Sequence, residues 1–319
     1  MSTITLWLAT ALACGPATGD DGPFDADFMS QMTADALVAL ERGPKISLPE
    51  PVEVVLLTEK EATARRRAYH ESLGDEVGYT AALDAMADIM FQGNLLGRYL
   101  PDERAVYVIE DTLWRQAGGD EGRAEEILFP VLVHEIVHAY DHQVYDAVPE
   151  PDNFDELLKD PAALGSIQAL MSLIEGRATY ASELACEAVG RKPLRSRTVE
   201  QALDAKYFEG EGGVIGDAGA LFGNSIVRMK LVQYAYGREF SKRVYDFGGE
   251  PFFDNVFGSR PLSMAEIEDF GLFVMRWAED MEAAEEAADG EGAAQAADDA
   301  DDAADDEADD EDAETDTSP

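Results

Sequence analysis

The spacing of apolar residues along the chain is mostly that of α-helices. Phe28, Met32, Ala36 and Leu40 fall on one stripe, which predicts an amphipathic helix over Asp27–Glu41. The same kind of pattern predicts helices through Arg65–Leu73 and over Ala81–Phe91, Glu121–Gln143, Pro161–Gly190, Ala218–Tyr236 and Met264 to about Ala284.

Three of these helices begin with residues that commonly cap a helix N-terminus. Thr58 is followed three residues later by Glu61, and Ser263 by Glu266, which is the spacing of a capping box. Asp160 precedes a proline, and proline is favoured at the first helical position. These signals predict where the helices start.

Strand-like patterns are few and lie in the first third of the chain. Val52–Leu57 is rich in β-branched residues and follows a proline. Gly97–Leu100 and Ala105–Ile109 flank Pro101 and Asp102, a turn sequence that predicts a hairpin. A small N-terminal β-sheet followed by a mostly helical part indicates the α+β class.

The charge balance changes the picture of possible partners and of the C-terminus. The chain has 24 Lys+Arg against 66 Asp+Glu, a net charge of −42, so its surface repels nucleic acids. Residues 286–319 are mainly Ala, Asp and Glu and include no aromatic residue, and this composition predicts disorder. The predicted organisation is an N-terminal segment over 1–14, a tether and short helix over 15–48, a main α+β domain over 49–285, and an acidic disordered tail over 286–319.

The N-terminus has the pattern of an export signal. Ile4–Ala13 is an apolar run that ends in small residues and Cys14, and the next residues are polar. This pattern resembles a bacterial lipoprotein signal, whose cysteine is acylated. It predicts an exported protein of the bacterial cell envelope or outer surface that contacts the membrane only through a lipid anchor at Cys14.

The motif that carries chemistry is His134-Glu135-Ile136-Val137-His138 in an otherwise aliphatic helix. His134 and His138 are one turn apart on the same helix face, so both imidazoles can bind one metal ion. Glu135 is rotated to the side and can act on a water rather than on the metal. Two histidines and a glutamate in an apolar helix are costly unless they are paired or metal-bound. The motif therefore predicts a Zn²⁺ site.

A catalytic zinc needs a third protein ligand and one open position. His142 is eight residues from His134, about 12 Å along a helix, which is too far for one ion. Since no histidine follows His142, the ligand is expected to be an acid from a later segment. Glu175, bordered by Leu173 and Ile174 on a predicted helix, is favoured, with Glu183 and Glu187 as alternatives.

These residues resemble the gluzincin metallopeptidases, which combine HExxH with a glutamate from a downstream helix. The run EGRATY, from Glu175 to Tyr180, is similar to the segment that supplies the glutamate ligand in several gluzincins. A closer resemblance, over roughly residues 95–270, is to a group of exported bacterial proteins with HExxH and EGxA segments and a later run of shared residues, here Tyr236-Gly237, Phe240, Tyr245, Gly248-Gly249, Pro261 and Ser263. The chain departs from that group at Asp141-His142-Gln143 and at Glu250.

The resemblance implies that 49–285 is a zincin-like metallohydrolase domain and that the protein is a zinc metallopeptidase that cleaves peptide or protein substrates. Glu135 is expected to be the general base that activates a zinc-associated water. A tyrosine is expected to stabilise the developing negative charge, because no downstream histidine exists. The candidates are Tyr236, which is favoured, and Tyr234, with Tyr180 and Arg177 behind them. The strand Ala105–Ile109 is a candidate edge for pairing with an extended peptide.

Polar residues that could support the histidine ligands are Asp141, Thr179, Glu183 and Asp217. Two other functions compete with a peptidase. One is a non-catalytic exported lipoprotein that uses its zinc site for stability or for partner binding. The other is a metallohydrolase that acts on substrates other than peptides.

Overall fold

The computed structural model describes residues 24–65, 96–147, 161–193 and 219–284. Helices dominate these residues, and one small sheet lies in the N-terminal part, so the α+β prediction is confirmed. The helices are α1 (Ala26–Arg42), α2 (Glu110–Ala117), α3 (Glu121–Tyr145), α4 (Pro161–Ala188), α5 (Gly219–Gly248), α6 (Phe253–Gly258) and α7 (Met264–Glu268). The strands are β1 (Glu53–Leu57), β2 (Gly97–Leu100) and β3 (Ala105–Ile109).

The sheet has the strand order β1-β3-β2. β3 pairs parallel with β1 and antiparallel with β2, so the predicted hairpin is confirmed. All five residues of β3 are buried, which fits its continuous apolar sequence. The prediction that β3 is the edge for a peptide is wrong, because β3 is the central strand of the described sheet. Its two edge strands are β1 and β2.

The predicted capping residues make the expected hydrogen bonds. The N–H of Thr58 donates to Glu61 Oε2 at 2.9 Å, and the N–H of Glu61 donates to Thr58 Oγ1 at 3.2 Å. Residues 59–65 are helical after this cap. The N–H of Ser263 donates to Glu266 Oε2 at 2.7 Å before α7. Both capping boxes are therefore confirmed.

The last predicted helix, Met264 to about Ala284, is instead two helices. α7 ends at Glu268, and a second helix runs over residues 270–284. Asp269 lies between them, and its Oδ1 accepts a 2.9 Å hydrogen bond from the N–H of Gly271. An aspartate that caps a new helix start interrupts a continuous apolar pattern. The chain divides into two compact units at the same place, between Glu268 and Asp269.

One other helix differs from the prediction at its C-terminal end: α5 continues to Gly248, twelve residues past Tyr236, because packing of its later residues outweighs the low helix propensity of Gly237.

α3 begins at Glu121, as predicted, and Pro130 lies inside it. Its carbonyl accepts a 3.2 Å hydrogen bond from Ser182 Oγ of α4, which ties the two helices together.

The main core lies between the sheet and the helices α1, α3 and α4. Leu128, Leu132 and Ile136 of α3 are fully buried there, beside Leu40 of α1 and Ala178 of α4. This packing presents the opposite side of α3, which carries the histidines, to α4 and α5. Cys186 is buried in the same core, as expected of a small apolar side chain.

Several predictions fall outside the described residues. The predicted helix Ala81–Phe91, the N-cap Asp160, the lipoprotein signal with Cys14, and the acidic tail over 286–319 are among them. These stay predictions, as do the domain boundaries at residues 14, 48 and 285. Within the described helices, none combines the length and the apolar composition needed to cross a membrane.

Candidate metal centre

The three predicted ligands come together between α3 and α4. His134 Nε2 lies 3.1 Å from His138 Nε2 and 3.3 Å from Glu175 Oε2, and His138 Nε2 lies 3.6 Å from the same carboxylate oxygen. The helices are antiparallel, because Ser182 of α4 contacts Pro130 near the middle of α3, whereas Glu175 contacts His134 and His138 further along. This group, here called the metal cluster, could hold a metal ion.

The donor atoms of the metal cluster fit a single ion. Ligand atoms that lie about 2.0–2.2 Å from one ion at tetrahedral angles are about 3.3–3.6 Å apart. The three observed separations differ from that range by at most a few tenths of an ångström. The side chains are 12–17% exposed, so the cluster is shielded but reachable from solvent.

Glu135 faces the edge strand β2. Its Oε2 accepts a 2.7 Å hydrogen bond from the N–H of Tyr99. β2 lies this close to α3 because residue 97 is glycine: a Cβ there would be 2.8 Å from Val131 Cγ1 and 3.3 Å from Glu135 Cγ. The phenol oxygen of Tyr99 is 2.8 Å from His142 Nδ1. The same strand therefore also contacts α3 two turns after Glu135.

The tyrosine that the structure brings to the cluster is Tyr234. Its ring lies 6.2 Å from the ring of His134, and its hydroxyl is hydrogen-bonded to Glu175. Desolvation raises the pKa of Tyr234 well above its usual value, and the negative charges of Glu175 and Glu135 raise it further. The phenol is therefore neutral and is a hydrogen-bond donor.

Tyr236, the tyrosine favoured by the sequence, lies elsewhere. It is 45% exposed, and no contact in the described part of the chain joins it to the metal cluster. Two residues along a helix correspond to a rotation of about 200°, so Tyr234 and Tyr236 cannot face the same side of α5. The preference for Tyr236 is thus corrected in favour of the sequence's second choice.

A close crossing of α4 and α5 determines which tyrosine faces the site. A Cβ on Gly176 would lie 1.9 Å from the carbonyl carbon of Gly237, and one on Gly237 would lie 1.8 Å from the carbonyl oxygen of Ser172. Only glycine allows the two backbones to approach this closely. Gly176 follows Glu175 directly, so the crossing also places the ligand opposite Tyr234. The sequence signal for this crossing was a glycine in each of two helical patterns.

The alternative acids are not at the cluster. Glu183 forms an ion pair with Arg238 of α5, with distances of 2.7 and 2.5 Å. Glu187 is exposed on the last turn of α4. His142 contacts Tyr99 and lies 3.8 Å from Asp146, so its exclusion as a ligand agrees with its position.

The expected supporting residues have other partners. Thr179 Oγ1 donates to the carbonyl oxygen of Glu175 at 2.8 Å. Asp141 is fully buried and forms an ion pair with Arg177. Arg177 is itself fully buried and cannot reach a substrate, so its role as a reserve donor to the reaction is wrong. Asp217 lies outside the described residues.

Comparisons with known proteins add information about the fold. No protein-family model matches the chain, and no curated protein matches it. The crystal structure of "a putative hydrolase with a novel fold" from Chloroflexus aurantiacus is similar, with 23% sequence identity, a TM-score of 0.51, and coverage of 80% of this chain and 92% of that one. At this identity the similarity shows a shared fold. It does not show the gluzincin fold that the motif resemblance implies.

Proposed function

We propose that the protein is a zinc-dependent hydrolase and that its substrates are peptides. The observation that carries the proposal is the convergence of His134, His138 and Glu175 from two helices, with Glu135 next to the first ligand. Two imidazoles and a carboxylate are a donor set that suits zinc, and this set is typical of hydrolases.

The metal cluster supports catalysis better than a purely structural role. Among the described residues, the group of potential ligands has three members. A structural zinc site normally closes with four protein ligands, whereas a catalytic site keeps one position open. A zinc ion held there would supply Lewis acidity and lower the pKa of a water molecule to about 7. The non-catalytic alternative gives Glu135 only its hydrogen bond to the N–H of Tyr99 and no role toward the metal.

Glu135 would act as the general base. Its carboxylate oxygen accepts the proton from the attacking water and later transfers it to the leaving amine. The 2.7 Å hydrogen bond from the N–H of Tyr99 places this carboxylate at the edge of the sheet, where a substrate strand would lie.

Tyr234 would stabilise negative charge on the substrate. Its neutral hydroxyl lies beside Glu175 and can donate a hydrogen bond to the carbonyl oxygen of the scissile bond. The ring contact with His134 orients the phenol toward the metal cluster.

The edge strand β2 supports a peptide substrate. The N–H of Ile109 donates to the carbonyl oxygen of Leu96, which places Arg98 and Leu100 in the pairs that bond to β3. The N–H and C=O groups of Gly97 and Tyr99 therefore point away from the sheet, and of these the N–H of Tyr99 is already bonded to Glu135. An extended peptide could pair with the C=O groups of Gly97 and Tyr99 and with the N–H of Gly97, beside Glu135.

The test is hydrolysis of a peptide library by the wild type and by Glu135→Gln. The variant should keep the metal, because Glu135 is not a ligand, and lose activity by about 10²–10⁴-fold. Equal activity in the two proteins would place the chemistry elsewhere. A metal-loaded wild type that cleaves no peptide, but whose metal loss unfolds it, would favour the non-catalytic alternative.

A further inference from the structure

A second polar cluster shares α3 and α4 with the metal cluster, and its centre is Arg177. This residue follows Glu175 by two positions on α4 and has no exposed surface. Its Nη1 pairs with Asp141 Oδ1, and its Nη2 pairs with Glu250 Oε1. The two ends of one guanidinium thus bind carboxylates from different parts of the chain.

Aromatic rings enclose the guanidinium of Arg177. Its central carbon lies 4.5 Å from the ring centroid of Phe253, 5.2 Å from those of Tyr140 and Tyr145, and 5.5 Å from that of Phe257. Rings at these distances attract the cation and exclude water from it. The Arg177 cluster is therefore a dry, occupied site, not a binding pocket.

The Arg177 cluster connects the same elements that build the metal cluster. Asp141 follows His138 by three residues on α3, and Arg177 shares α4 with Glu175. Glu250 lies just beyond α5, the helix of Tyr234, and accepts a hydrogen bond from the hydroxyl of Tyr245 in α5. The helices α3 and α4, which supply the ligands, thus each contribute a residue to the Arg177 cluster, and Tyr245 connects α5 to it.

Apolar and small residues alone do not fix how far one helix is shifted along another. A buried guanidinium does, because its fork geometry is rigid and a lost charge partner in a dry site is costly. The metal cluster requires such precision, since Glu175 must meet two histidines of α3 within a few tenths of an ångström.

We infer that Arg177 is a positioning residue for the metal centre: it holds α3, α4 and the end of α5 in the register that lets Glu175 meet His134 and His138. The inference rests on the metal cluster of the proposed function. It concerns affinity and ligand geometry, so it can be tested apart from hydrolysis.

The experiment measures metal binding by the full chain. Zinc affinity is determined by competition with a chromophoric chelator, and the visible absorption spectrum of the Co²⁺-loaded protein reports ligand geometry. Arg177→Met should weaken zinc binding by about 10–100-fold, the usual cost of losing a group that orients metal ligands. Arg177→Lys keeps the charge but not the fork, so it should show a smaller loss of affinity with a changed Co²⁺ spectrum.

The matched control is Arg238→Met. Arg238 also forms an ion pair between α4 and α5, with Glu183, at a place that does not touch the metal cluster. Its replacement should leave zinc affinity and the Co²⁺ spectrum at their wild-type values. If it weakens zinc binding as much as Arg177→Met does, the effect is general loss of stability and the inference is wrong.

A folded Arg177→Met protein with wild-type affinity and spectrum would overturn the inference and leave the proposed function intact. If Arg177→Met does not fold, Arg177→Lys and Asp141→Asn, which nearly preserve side-chain volume, decide by the same two measurements. A wild type that binds no metal would contradict the proposed function and the inference together.

Discussion

Two polar clusters each draw residues from α3 and α4, and they differ in what they lack. The Arg177 cluster contains its own cation and is closed to solvent. The metal cluster joins two imidazoles and a carboxylate, is 12–17% exposed, and contains no lysine or arginine among its ligands. The comparison indicates that one cluster is complete as folded, whereas the other is built to receive a cation from solution.

The largest expected effect is on the free energy of unfolding, and it should differ between the two clusters. Arg177→Met should lower the free energy of unfolding of the metal-free protein by about 3–5 kcal/mol, because it leaves two buried carboxylates without their cation. Glu175→Gln should change it by less than about 1 kcal/mol, roughly the worth of one hydrogen bond. Urea unfolding in the presence of a chelator measures both values. Similar losses in both variants would mean that the metal cluster also serves stability in the absence of metal.

The next effect concerns the chemistry at the metal cluster. Tyr234→Phe should lower the hydrolysis rate by about 10²–10³-fold, the range for losing one donor to the developing negative charge. Tyr236→Phe should have little effect, since that ring is 45% exposed and outside the cluster. Steady-state rates on a cleaved library peptide test the pair of variants. The reverse order of effects would restore the sequence-based choice of Tyr236.

A smaller effect is expected where α4 and α5 cross. Gly237→Ala should destabilise the protein by about 1–3 kcal/mol, because the added methyl group meets the backbone of α4. Gly165→Ala, which changes a glycine of α4 away from the crossing, should be neutral or stabilise the protein by up to about 1 kcal/mol. Nothing lies within 4 Å of the Cβ position at Gly165. Thermal unfolding of both variants checks this, and equal melting temperatures would contradict the close crossing.

The smallest effect is a pH dependence that belongs to the Arg177 cluster. Burial raises the pKa of Glu250 above its ordinary 4.5, and the opposing effect of Arg177 is smaller. The folded state therefore holds this proton more tightly than the unfolded state does. That contribution to stability is present below pH 4.5 and is lost as the pH rises through the raised pKa.

The stability of the wild type relative to Glu250→Gln should accordingly decline as the pH rises from 4.5. Urea unfolding at several pH values measures the difference. Glu187→Gln, at an exposed position on α4, controls for the loss of one negative charge. A constant difference between wild type and Glu250→Gln would show that folding does not raise the pKa of Glu250.

The two clusters also differ in how far the sequence predicts them. The histidine pair and Glu135 are local in sequence, so helix geometry alone predicts their arrangement. Glu175 could be favoured because an acid in an apolar helix needs a reason to be there. The Arg177 cluster escaped prediction, because an arginine and two acids far apart in sequence are normally expected at the surface.

The sequence could not predict how α5 is rotated or in which order the strands pair, and both failures have physical reasons. The choice between Tyr234 and Tyr236 depends on how α5 is rotated, which the contact between Gly176 and Gly237 decides. The central position of β3 depends on parallel pairing with β1 across a long connection, and apolar patterns of strands do not encode their order.

The central claim is tested most directly by the zinc content of purified protein in Glu175→Ala and in Glu183→Ala. Both variants remove one glutamate of α4, but only Glu175 lies at the metal cluster. The wild type and Glu183→Ala should each contain about one zinc per chain, and Glu175→Ala should lose most of it. Full zinc retention in Glu175→Ala, or loss in Glu183→Ala with the fold intact, would contradict the assignment of the metal centre.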